Sequence, residues 1–139
     1  MLIREVMSKP VTLLTPDNTL DEAARKMKAE DVGSLPVGEN DRLVGMLTDR
    51  DIVVRGIAAG KDPAKTPIRE AMSEGILYCM ETDSIEKVAD IMAKKQVRRL
   101  PVISAEKRLV GIVSIGDLAT NGSKKKAGEA LSEVASDRH

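Results

Sequence analysis

Aromatic side chains are almost missing from this chain: Tyr78 stands alone, with no Phe and no Trp among 139 residues. A surface that holds single strands by stacking bases on aromatic rings is thereby excluded. An excess of one charge is missing too. Lys plus Arg and Asp plus Glu each number 22, for a formal net charge of zero. A basic stripe that would make nucleic acid a primary partner is therefore not expected. The single histidine, His139, ends the chain, which leaves a catalytic triad or a His-based metal site almost nothing to stand on. The one cysteine, Cys79, cannot form an internal disulfide. Between Tyr78 and Met80 it reads as a small buried hydrophobe on a strand rather than a reactive thiol. No run approaches the roughly 18 apolar residues of a membrane span, and MLIREVMSKPV has no long apolar core of a signal peptide. The expected setting is the reducing cytoplasm, with no membrane partner.

What is present is enough to fold. The chain is 42% hydrophobic and 32% charged, a balance that buries an ordinary core. Its length supports one compact domain or two small, tightly joined halves.

The chain is written twice. IREVMS at 3–8 returns as IREAMS at 68–73, an offset of 65 from Met7 to Met72 that also carries Leu20 to Ile85, Met27 to Met92, Pro36 to Pro101 and Val37 to Val102. After one extra residue in the turn at 106–108 the offset is 66, carrying Gly45 to Gly111 and Asp51 to Asp117. Ordered recurrence of unlike residues marks a tandem duplication. The expected organisation is repeat 1 at 1–60, a linker at 61–67, repeat 2 at 68–121, and a tail at 122–139.

Each copy reads as β-α-β-β-α, an α+β fold. In copy one, Val11 to Leu14 is β-prone, and Asn18 or Thr19 caps a helix whose apolar face is Leu20, Ala23, Ala24 and Met27. Strands follow at Ser34–Val37 and Leu43–Leu47, around the polar turn at 38–42, then a helix from about Asp49 to Ala59. In copy two the strands are Leu77–Cys79, Leu100–Ile103 and Leu109–Val113. One helix carries Ile85, Val88, Ala89 and Met92, and another starts at Ile115. A single copy has too little core to stand alone, so the halves are expected to pack together. In the tail, Ala127, Ala130, Leu131 and Val134 share one face of a final helix that packs on its own domain or against a partner. Lys124 to Lys126 read as a solvated run.

Two phrases within the repeat carry chemistry: GMLTDRD at 45–51 and GIVSIGD at 111–117. Thr48-x-x-Asp51 and Ser114-x-x-Asp117 are capping boxes with Asp in the usual place of Glu, and an acid there also suits the helix dipole. The same placement suits a ligand: a helix start offers N–H donors to phosphate, and a fixed carboxylate can accept from two adjacent ribose hydroxyls. Duplication would bring two such helix ends beside a shared interface.

With these phrases, IREVMS and IREAMS, and the strands SLPV and RRLPV, the chain resembles a pair of cystathionine-β-synthase (CBS) domains, a Bateman module, over about residues 1–120. It is most similar to stand-alone two-CBS proteins of the hypoxic response protein type, helped by GMLTDRDIVVRGIAAGKDP and QVRRLPVIS. The resemblance implies two repeats packed with pseudo-twofold symmetry, two clefts between them for adenosine-containing ligands, and a homodimer, head-to-head or head-to-tail. Carried over by residue, one cleft takes Thr15, Val32, Gly33 and Ser34 from copy one, with Ile112, Ser114 and Asp117 from copy two. The other takes Met46, Thr48 and Asp51 with Tyr78, Met80, Val97, Arg98 and Arg99. The aspartates would hold ribose, the hydroxyls would lie near ribose and phosphate, and backbone beside the LPV strand would read adenine. Met80 departs from the pattern, standing where copy one has Thr15. Arg98 and Arg99 match positions that hold phosphates in related modules and suit them through paired donors. Their plainer reading is a surface pair bonded to nearby acids.

The expected function is a regulatory module sensing AMP, ADP, ATP or NAD(H), read by an unidentified partner protein. The alternative is a ligand-independent dimeric scaffold. With no Gly-rich P-loop, no histidine base and no evident metal cluster, neither a catalytic residue nor a catalytic cofactor is expected, and the chain is not read as an enzyme.

Overall fold

In the computed structural model, which describes residues 1–9, 13–75, 77–121, 128–129 and 131–134, helix α1 (Leu20–Glu30) begins where the sequence offers a hydroxyl. Thr19 Oγ1 accepts the Glu22 N–H at 3.2 Å, and Asp31 closes the helix in the left-handed conformation at φ 54°. Of the two expected caps, Thr19 is the one used; Asn18 instead accepts the Thr15 N–H at 2.8 Å. The duplicate helix α3 (Ile85–Lys95) repeats the design, with Ser84 Oγ accepting the Lys87 N–H at 3.2 Å and Gln96 closing at φ 57°. The apolar faces differ in one place. Ile85, Val88, Ala89 and Met92 are all buried, but in α1 only Leu20, Ala23 and Met27 are, and Ala24 is exposed.

Strands β1 (Ser34–Glu39) and β2 (Arg42–Thr48) form an antiparallel hairpin. Asn40 and Asp41 turn it with φ of 54° and 65°, the doubly positive geometry that matches the strand twist. Leu14 continues this sheet as a parallel bridge to Val37; the expected strand around it falls partly on residues outside those described. In copy two, β3 (Cys79–Met80) runs parallel to β4 (Arg99–Ile103), which pairs antiparallel with β5 (Leu109–Ser114). The strand expected at Leu77–Cys79 thus lies later, and Tyr78 is outside it and 45% exposed. The helix expected from Asp49 to Ala59 is also different. It is α-helical only over α2 (Asp49–Asp51) and then π-helical over Ile52–Ile57, with Ala58 N–H donating to Val53 C=O at 2.8 Å. Three successive β-branched residues, Ile52 to Val54, crowd a regular α turn. Gly56 meanwhile brings the backbone so near Leu20 that an added Cβ would lie 2.7 Å from its Cδ1. Helix α4 (Ile115–Asn121) starts where expected. Of the tail's apolar face, Val134 is buried and Leu131 exposed; Ala127 and Ala130 lie outside the described residues, as do Lys124 to Lys126 and His139.

Two compact bodies result: Val11–Ile76, and Met1–Pro10 with Leu77–His139. The repeats are units of sequence and the bodies are units of packing, and the two partitions differ at the IRE-M-S segments. Ile68, from the start of copy two, is fully buried with Leu14, Leu20, Val37 and Leu47 of the first body. Ile3, from the start of copy one, is fully buried with Val88, Met92, Leu100 and Val113 of the second. Each segment also pairs with a sheet edge. Ser73 and Met46 exchange backbone bonds of 3.0 and 3.1 Å, and Ser8 and Ile112 exchange bonds of 2.8 and 2.9 Å. This docking explains why both repeated phrases open on glycine. A Cβ on Gly45 would stand 2.9 Å from Ser73 C=O, and one on Gly111 would stand 2.5 Å from Met7 Sδ and 3.0 Å from Ser8 C=O.

Candidate functional site

Both capping boxes form as the sequence predicts. Asp51 N–H donates to Thr48 Oγ1 at 3.0 Å, and Thr48 N–H donates to Asp51 Oδ2 at 3.0 Å. In the second body the corresponding distances, for Ser114 and Asp117, are 3.0 and 2.9 Å. Each cap uses one carboxylate oxygen. Asp51 Oδ1 and Asp117 Oδ1 have no bonded protein partner among the described residues, and both aspartates are only half-buried. Such an oxygen keeps its lone pairs for an outside donor.

The first-turn donors do not behave as expected in the first body. Asp49 N–H goes to Gly33 C=O at 2.8 Å, Arg50 N–H to Asp49 Oδ1 at 2.8 Å, and Asp51 N–H to Thr48 Oγ1. All three are satisfied within the chain, so that helix start does not hold these donors open for phosphate. In the second body Ile115 N–H likewise donates to Arg98 C=O at 3.0 Å.

The remaining predicted residues fall around these corners, each within its own body. In the first, Ser34 pairs with Thr48 across the hairpin, Val32 is half-buried, and Gly33 and Thr15 are exposed. Met46, half-buried, lies one pleat along β2. In the second, Arg99 pairs with Ser114, Ile112 faces Pro101, and Val97 is half-buried where α3 ends. Met80 preserves the Thr15 turn without its hydroxyl, because its N–H donates to Asp83 Oδ2 at 2.9 Å as the Thr15 N–H does to Asn18. Arg98 and Arg99 are exposed, and neither forms an ion pair with an acid among the described residues. Their plainer reading, a surface pair bonded to nearby acids, thus has no partner acid among the described residues. Sequence reasoning missed Ser8 and Ser73 as backbone partners of Ile112 and Met46; the recurrence of IRE-M-S was the available signal.

Cys79 is buried and donates to Pro101 C=O at 3.8 Å. Burial, with the Asp83 charge adding and Lys87 opposing, pushes its thiol up from 9.0 to about 12. Alkylation at pH 8.5 should therefore run about a thousandfold slower in the native chain than in urea, since three pKa units are three decades of thiolate. The proton retained by the fold also gives stability that is full below pH 9.0 and lost as pH rises towards 12. A native labelling rate near the unfolded one would refute this burial. Among the described residues no three His, Cys, Asp or Glu side chains cluster closely enough to hold a metal ion, and no helix is long and apolar enough to cross a membrane.

Comparison with known proteins agrees with this architecture. The CBS domain family model matches residues 3–56 and 68–123. The CBS domain-containing protein YhcV of Bacillus subtilis is 42% identical over 134 residues, covering 96% of this chain and 94% of its own length. Hypoxic response protein 1 of Mycobacterium tuberculosis is 47% identical over 117 residues, covering 84% and 81%. The crystal structure of Hypoxic Response Protein I with two coordinated zinc ions superposes with a TM-score of 0.79 at 46% identity, over 86% of this chain and 97% of that one. The CBS domain pair of protein MJ0100, solved with 5′-methylthioadenosine and S-adenosyl-L-methionine, superposes with a TM-score of 0.73 at 28% identity, over 86% of this chain and 93% of that one. With two family matches in tandem and relatives aligned over most of their length, this chain belongs to the CBS-domain family.

Proposed function

We propose that the chain is a regulatory module that binds adenosine-containing ligands, AMP, ADP, ATP or NAD(H), in clefts between its two repeats, and that it does so without catalysis in the cytoplasm. The observation that carries this reading is the pair of half-buried aspartates, Asp51 and Asp117, each spending one oxygen on a helix cap and leaving the other unbonded by protein among the described residues. Asp117 and Ser114 would act with Thr15, Val32, Gly33, Ser34 and Ile112. Asp51 and Thr48 would act with Met46, Tyr78, Met80, Val97, Arg98 and Arg99. The adenosine compounds bound by the MJ0100 pair support the class of ligand. Thermal unfolding with AMP, ADP, ATP, NADH and S-adenosylmethionine tests it: a true ligand at 100 times its dissociation constant adds about 2.7 kcal/mol per site. No stabilisation by any of them would favour the ligand-independent scaffold.

The chain would act as a homodimer read by a regulated protein. Val53, Val54 and Ile57 on the π-helical turn are 54%, 45% and 58% exposed, an apolar group of the kind that marks an interaction surface. Val53→Glu with Ile57→Glu should convert a sedimenting dimer to a monomer without lowering monomer stability. A variant that still sediments as a dimer places the interface elsewhere.

A further inference from the structure

One strand corner is built oppositely in the two bodies. In the second, β4 is entered through the exposed Arg98 and Arg99, and the residue after the Ser114 cap is the buried Ile115. In the first, Gly33 and Ser34 take the places of the arginines, and Asp49 takes the place of Ile115. Asp49 Oδ2 lies 3.0 Å from where a Cβ on Gly33 would stand, so the carboxylate covers the space that the glycine leaves open. Its other oxygen accepts the Arg50 N–H at 2.8 Å, a donor that a phosphate oxygen could otherwise use. Asp49 forms no ion pair among the described residues. Arg50 follows it directly, but adjacent residues on a helix do not face each other. A group arriving at Gly33 and Ser34 therefore meets a fixed negative charge, and a group arriving at Arg98 and Arg99 meets two positive ones. Like charges placed together cost affinity, whereas neutral and opposite charges do not.

We propose that Asp49 is a specificity-determining residue: the half-site of Val32, Gly33 and Ser34 takes adenosine derivatives whose 5′ substituent is neutral or cationic, a thioether or a sulfonium, and rejects 5′-phosphates. This rests on the adenosine-binding reading above and narrows it at one of the two sites, so that AMP, ADP, ATP or NAD(H) would occupy only the site of Asp51, Arg98 and Arg99. Nothing in it requires the helix start as an anion site; the carboxylate has already taken that role.

Calorimetric titration of the full chain carrying Arg98→Ala and Arg99→Ala, which strips the other site of its phosphate-attracting pair, compares 5′-methylthioadenosine with ADP. The thioether compound should bind more tightly. Adding Asp49→Asn, which keeps an acceptor for the Arg50 N–H, should strengthen ADP binding about fivefold and leave 5′-methylthioadenosine within about twofold, the scale of an exposed charge. ADP binding that is tighter than 5′-methylthioadenosine before Asp49→Asn, or unmoved by it, overturns the assignment and leaves the adenosine reading intact. The same holds if both compounds bind the parent chain but not the arginine-stripped one. Absence of heat with either compound in the parent chain overturns the adenosine reading and this proposal together.

Discussion

Ile3→Ala should lower the free energy of unfolding by about 2–4 kcal/mol, the usual cost of removing a fully buried branched side chain and leaving a cavity. Position three of a chain would ordinarily be a place of tolerance, where the backbone frays and substitutions cost little. Here the side chain is fully buried among Val88, Met92, Leu100 and Val113, all of them far along the sequence. The segment is held by backbone as well: Ile3 N–H donates to Asp83 C=O at 2.9 Å, and Arg4 N–H donates to Glu81 C=O at 3.0 Å. Ile68→Ala should cost a similar amount in the first body, where the duplicate segment fills the matching place. The midpoint of urea unfolding reads both. An Ile3→Ala midpoint indistinguishable from the parent would mean that the segment is not part of that core. Gly111→Leu probes the same dock from the opposite side, because its side chain would have to displace Met7 and the Ser8 backbone.

Asp51→Ala and Asp117→Ala should each remove one site's share of ligand stabilisation, about 2.7 kcal/mol at 100 times the dissociation constant. Each should also cost about 1 kcal/mol without ligand, through the lost reciprocal bond from the Thr48 or Ser114 N–H. The two roles are separable because they use different oxygens. Asp51→Asn can still accept the Thr48 N–H but replaces the other oxygen with a donor that a ribose hydroxyl pair cannot satisfy in the same way. It should therefore keep most of the ligand-free stability and lose the ligand-dependent part. If Asp51→Ala and Asp117→Ala bind every adenosine compound, S-adenosylmethionine and 5′-methylthioadenosine included, as well as the parent, the aspartates are caps alone and the ribose assignment is wrong.

Features whose bonds span three or four residues are legible in the residue order. Thr19, Ser84, Thr48 with Asp51, and Ser114 with Asp117 all close a hydrogen bond within one helical turn, so residue type and spacing are sufficient to place them. Duplication is legible for a different reason: order and offset are properties of sequence itself. Family membership follows from the same ordered motifs. Other outcomes are not local. Ala24 and Ala89 occupy matching helix positions, yet one is exposed and the other 2% exposed, because each answers to what packs on its own face. Within the π-helical turn at Ile52–Ile57, Gly56 packs so closely on Leu20, a residue distant in the chain, that an added Cβ would lie 2.7 Å from its Cδ1.

Residue order alone therefore sets that two α+β copies exist, where their helices start, and which two carboxylates sit one turn inside those starts. Long-range packing settles the rest: which core each IRE-M-S segment completes, why each repeated phrase must open on glycine, and that Asp49 covers the corner where copy two presents Arg98 and Arg99. Those facts join residues far apart in the chain, and one repeat pattern is compatible with either assignment of the segments. Shape and burial choose between them, and neither is written in a local run of residues.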